Sequence, residues 1–132
     1  MPNARAFVRH TPQPSEEWET SEQDPGCRWR TLTSGDRTPS DRLTTGVLEV
    51  APGGILRPHW HAPPEVYHVT LGQGVVTVDG TPHTVVTGST VFIPGSAMHG
   101  IENRSGEVLK IFYAFPVDSF AEVEYHYPAG GG

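Results

Sequence analysis

The stretch Pro58-His59-Trp60-His61-Ala62-Pro63-Pro64-Glu65 concentrates residues that can do chemistry. Three prolines within eight positions exclude a helix, so His59 and His61 read as strand residues. On a strand, residues i and i+2 face the same side, with Cα atoms about 6–7 Å apart. Their imidazoles can therefore converge on one ion. Pro63 and Pro64 turn the chain, and Glu65 opens the next strand, where its carboxylate can return to the same ion. His99 follows a further turn over positions 94–98 and can supply a fourth ligand. Imidazoles with one carboxylate suit a divalent transition metal, namely Fe, Mn, Zn, Ni or Cu, with positions left open for substrate.

The elements that must hold these residues are short strands. Gly and Pro, 15 and 13 of 132 residues, argue against long helices. From Thr44 onward, apolar segments of four to eight residues alternate with turn residues. They lie at 44–51, 55–61, 65–71, 75–78, 83–87, 90–93, 99–103, 108–115 and 123–127. Asp79-Gly80, between two β-rich runs, is a hairpin signal. Short strands at regular spacing without a helical period indicate an all-β sandwich or barrel. The region before it divides into an arm over 1–26, rich in Pro and acidic residues, and a short strand over 27–33. The expected organisation is an N-terminal arm with short strands over 1–43, a barrel over 44–127 and a flexible tail over 128–132. Phe7 and Trp18 give the arm aromatic groups with which to pack on a partner subunit.

Composition narrows the function classes. A net charge of −6 argues against nucleic acid. The longest apolar stretch, 111–115, is too short to span a bilayer. Cys27 is the one cysteine, so no intramolecular disulfide can form. With no apolar N-terminal run of signal-peptide type, the expectation is a soluble cytoplasmic protein acting on a small molecule.

Glycine framing extends the histidine pattern into two motifs. The first runs Gly53, five residues, His59-x-His61, three residues, Glu65, six residues, Gly72. The second runs Gly88, five residues, Pro94, then His99, three residues, Asn103. Together they resemble the two motifs of the cupin superfamily, over roughly residues 44–116. One departure is Pro94-Gly95-Ser96, where the family usually has Pro-x-Gly. The resemblance implies a jelly-roll β-barrel, a double-stranded β-helix with little or no helix. It also implies a homodimer, with His59, His61, Glu65 and His99 as ligands of one metal ion.

Strand parity nominates further residues. Tyr67 and Val69 share a side with Glu65, while His68 points outward. Arg57 shares parity with His59 and His61. Outward Lys110 would turn Ile111, Tyr113 and Phe115 inward, and Asn103 suits a turn. Arg57 is a candidate clamp for a substrate carboxylate and Tyr113 a pocket residue. The Glu65-x-Tyr67 pair resembles that of the cupin-type dimethylsulfoniopropionate lyases, which implies Tyr67 as general base, with proton abstraction and elimination or isomerisation on a carboxylate-bearing molecule. Two other readings stay open, a mononuclear non-haem iron dioxygenase and a non-enzymatic binding or sensing protein.

Overall fold

The computed structural model describes residues 4–10 and 18–128. Parts of the arm (1–3 and 11–17) and nearly all of the tail (129–132) lie outside the described residues, so those expectations are not addressed there. Among the described residues nine strands follow one another: β1 (Cys27–Thr33), β2 (Thr44–Val50), β3 (Ile55–His59), β4 (Glu65–Leu71), β5 (Gln73–Val78), β6 (Thr81–Val86), β7 (Thr90–Ile93), β8 (His99–Glu102) and β9 (Leu109–Phe115). They form two antiparallel sheets, ordered β1-β2-β9-β4-β7 and β3-β8-β5-β6. The described helical structure is a single 3₁₀ turn at Phe120–Glu122, and no helix among these residues is long and apolar enough to cross a membrane. The all-β jelly-roll architecture expected from the sequence is the one observed.

Alternation builds the core. Along β2 and β9 every second residue is buried, including Leu48 and Val50 on the first and Leu109, Ile111, Tyr113 and Phe115 on the second. These meet Val69, Val76, Ile93 and Ile101 from the other strands. Burying such a side chain contributes about 1.5–3 kcal/mol. The β5–β6 hairpin turns at Asp79 and Gly80, both with positive φ (47° and 83°), as a two-residue type I′ loop demands. Asp79 Oδ1 also accepts the Met98 amide at 2.9 Å, tying this turn to the one before His99.

Two expectations change. The segment 123–127 is not a strand: it is held by one β-bridge, in which Trp60 and His126 exchange both amide bonds at 2.9 Å. The described part of the arm also makes contacts within its own chain. Trp18 lies beneath the guanidiniums of Arg28 and Arg30 at 4.0 and 4.4 Å, and Arg9 donates to the carbonyls of Thr31 and Leu32.

The second change is at Arg57. The β3–β8 register shifts by one residue between Leu56 and His59. Pro58, inside the shift, has no amide to give the ladder. Leu56 and His59 therefore both face inward, three residues apart, and Arg57 leaves the side that simple parity assigns it.

Candidate metal centre

His59 ends β3, His61 lies just beyond it, Glu65 starts β4 and His99 starts β8. The β3–β8 register sets His59 opposite His99. The turn before His99 is also bonded to the first histidine segment, since Ser96 donates its amide to the His61 carbonyl at 2.8 Å. Ser96 holds φ at 67°, the left-handed region that a glycine at this motif position takes without strain. The departure from the family pattern therefore keeps the turn and places a serine in a conformation serines seldom adopt.

All four side chains are buried, none more than 5% exposed as a residue. Each histidine ring is fixed by its Nδ1, which donates to a backbone carbonyl: His59 to Arg57 (2.7 Å), His61 to Pro63 (2.9 Å) and His99 to Ala97 (2.9 Å). A carbonyl can only accept, so the proton of each neutral ring sits on Nδ1 and the Nε2 lone pair is left for an ion. The ligating nitrogens lie within 4.8 Å of one another. Glu65 Oε1 stands 3.2 Å from His61 Nε2 and 3.4 Å from His99 Nε2, and His99 Nε2 has no hydrogen bond among the described residues.

Lone pairs facing a carboxylate in a buried space require positive charge between them. Protonation of His59 is a poor source. Its burial, reinforced by the charge of His99, holds its pKa down at about 4, against the opposing pull of the Arg57 carbonyl and Glu65. The donor set thus fits a divalent transition metal, and the three-histidine cluster can hold one.

The centre opens into a cavity of about 450 Å³. Tyr67 and Tyr113 line it and are buried, at 2% and 5% exposure, and the Tyr67 ring lies 6.1 Å from that of His99. Burial raises the Tyr67 phenol well above its ordinary value, and the Glu65 carboxylate adds to the rise. Tyr113 is raised mainly by burial as well, with Thr31 opposing. Arg57 does not line the cavity. Its guanidinium sits 4.7 Å over the Tyr127 ring and bonds Gln23 Oε1, so the parity argument for a clamp on a ligand beside the histidines fails at the register shift. Its peptide still takes part. The amide donates to Asp24 Oδ1 at 2.8 Å, while the carbonyl receives His59 Nδ1.

His68 faces outward and bonds Thr90 Oγ1 at 2.9 Å. Asn103 is a turn residue, donating through Nδ2 to the carbonyls of Val50 and Glu107 and accepting from Ser105. Sequence reasoning missed Tyr125 and Asp24. The Tyr125 ring lies 4.9 Å from His59 and 5.4 Å from His61, and both residues line the cavity. The alternation Val123, Tyr125, Tyr127 was the available signal, but nothing local says which side of the barrel that segment covers.

A family profile described as "Cupin domain" matches residues 46–115. The chain is 42% identical over 102 residues to the dimethylsulfoniopropionate lyase DddW of Ruegeria pomeroyi, an alignment covering 77% of this chain and 66% of that protein. It therefore spans just under two thirds of that relative's length. Among solved structures, the polyketide cyclase RemF from Streptomyces resistomycificus superposes with TM-score 0.76 at 18% identity, over 92% of this chain and 85% of that one. A chain from the structures of DMSP lyases RdDddP and RnDddQII superposes with TM-score 0.64 at 20% identity, over 77% of this chain and 52% of that one. At these identities the two structural likenesses speak for the fold.

Proposed function

From a chain that belongs to the cupin family, we propose a metal-dependent lyase that removes a proton beside a carboxylate and expels a leaving group from the next carbon. The observation that carries this reading is that Tyr67 lines the same cavity as Glu65 and His59. The identity to DddW supports it and suggests dimethylsulfoniopropionate, or a close analogue, as substrate.

His59, His61 and His99, with Glu65 beside them, are the residues that would hold the metal. When bound, a divalent cation there supplies positive charge that favours a carboxylate ligand and acidifies the proton next to it. Tyr67, as phenolate, takes that proton. The freed electron pair forms the carbon–carbon double bond as the carbon–sulfur bond breaks, and the sulfur leaves with its bonding pair as neutral dimethyl sulfide. The other product is acrylate, and the proton rests on Tyr67 Oη until solvent removes it. Burial and the Glu65 charge both oppose the phenolate, so Tyr67 depends on compensating positive charge at the cluster. Buried Phe115 and Leu56 limit water around the centre.

The test is to quantify metal in protein purified without chelators or affinity metal, then incubate it with dimethylsulfoniopropionate. Headspace dimethyl sulfide and dissolved oxygen are followed together. Metal-dependent sulfide release without oxygen uptake is the expected result. Oxygen consumption, or binding without turnover, overturns the lyase reading in favour of a dioxygenase or a sensor respectively.

A further inference from the structure

The register shift in β3 interrupts the ladder immediately before the first ligand histidine. Leu56 pairs with Ile101 and His59 with His99, and the two residues between them fall inside the shift. Pro58 has no amide for the ladder, and the Arg57 amide goes instead to Asp24 Oδ1 at 2.8 Å. The carbonyl of the same residue accepts His59 Nδ1 at 2.7 Å. A residue before proline is restricted to extended backbone, so a hold on the Arg57 amide also fixes where its carbonyl points. His99 is served differently. The carbonyl that orients it belongs to Ala97, whose amide bonds back to the Pro94 carbonyl within its own turn at 3.1 Å. For His59 the hold comes from a segment 33 positions away.

Asp24 is itself firmly placed. It is 7% exposed, its amide bonds the Ser21 carbonyl and its carbonyl receives the Cys27 amide, both at 3.1 Å. The next carbonyl, that of Pro25, receives the Ile55 amide at 2.9 Å, which docks this turn on the start of β3. Burial holds the Asp24 carboxyl above its ordinary value, offset in part by the Arg57 amide and guanidinium. A buried carboxylate is costly unless it is hydrogen-bonded, and its bond to an amide is stronger than that of a neutral acceptor. We propose that Asp24 is a positioning residue of the metal centre, which through Arg57 holds the His59 ring with Nε2 presented to the ion. The role rests on the metal centre of the reading above and is independent of the reaction run there.

Metal retention, read without substrate, tests it. Protein loaded with cobalt(II) is challenged with graded chelator, and the visible ligand-field bands report how much metal stays and in what geometry. Asp24→Ala should lose its cobalt at about 10- to 100-fold lower chelator, the usual scale for an outer partner of a ligand histidine. Asp24→Asn keeps an oxygen for the Arg57 amide, so it should stay within about threefold of the wild type, with unchanged bands. Hydrogen exchange reads the hold itself. The Arg57 amide should be protected in the wild type and in Asp24→Asn, and should exchange rapidly in Asp24→Ala. Fast exchange of this amide in the wild type overturns the proposal, whether or not the variants fold. A folded Asp24→Ala protein with wild-type metal retention does so as well. An Asp24→Asn protein that loses as much as Asp24→Ala also overturns it, because charge and not the bond would then be acting. A protein that passes these tests but releases no sulfide keeps this role for Asp24 and loses the lyase reading, and the reverse pair of results does the opposite.

Discussion

Gly46 stands opposite Tyr113 in the β2–β9 ladder, and the Tyr113 phenol occupies the space a side chain at Gly46 would fill. An ideal Cβ there would overlap Tyr113 Oη and Cζ and press on the Arg30 carbonyl. Gly46→Ala should therefore destabilise the fold by about 1–3 kcal/mol, the usual cost of overpacking. Tyr113→Phe in the same background should recover part of the loss. Urea denaturation of both single variants and the double variant measures the coupling, and an unchanged midpoint for Gly46→Ala would show that Tyr113 does not need that space.

The metal centre predicts a separation of metal content from folding. His99→Ala removes a ring that the core does not depend on for its strand pairing, so the far-ultraviolet circular dichroism should stay β-type. Bound metal, by mass spectrometry, should fall to a small fraction of the wild-type level. The same holds for His59→Ala and His61→Ala. Full metal retention in the triple variant would put the site elsewhere.

Tyr67→Phe should keep its metal but lose about 10²-fold or more in turnover, the scale of a lost general base. A loss below tenfold on the true substrate would make Tyr67 a wall residue.

Cys27 provides a pH-dependent readout away from the metal. Burial, helped by the charge of Asp24, pushes its thiol from 9.0 up to about 12. The folded protein should then hold on the order of 10³-fold less thiolate than the unfolded chain near pH 8. Alkylation by iodoacetamide should be correspondingly slow until urea is added. Between pH 9 and 12 the unfolded chain releases this proton while the folded one keeps it, so stability should fall as pH rises through that window. Cys27→Ala should lack that part of the slope. Rapid alkylation of the native protein would contradict the buried thiol.

Several features of the site were legible in the sequence because they are set by local geometry. The inward set Ile111, Tyr113 and Phe115 follows from a two-residue repeat, which the pleat enforces wherever the ladder is regular, and His59 and His61 keep that spacing where β3 runs out into the Trp60–His126 bridge. The outward placement of His68 follows the same rule. Asp79-Gly80 was readable because a type I′ turn asks for residues tolerant of positive φ.

Arg57 marks where that reasoning fails. A two-residue count assumes an unbroken ladder, and the register shift around Pro58 turns Leu56, not Arg57, to the same side as His59. Sequence spacing also does not state that the Arg57 peptide joins Asp24 to His59, because that link depends on a turn packing against a strand from 33 positions away. Tyr125 enters the cavity for a similar reason, carried there by the single Trp60–His126 bridge. The sequence by itself determined the all-β class, the residues able to bind a metal and the side of each regular strand that faces inward, since these depend on residue type and the pleat. The tertiary structure alone decided that Asp24, Tyr125 and Tyr127 join Glu65, Tyr67 and Tyr113 around the ligand space, because segments distant in sequence meet there through long-range packing that no local period encodes.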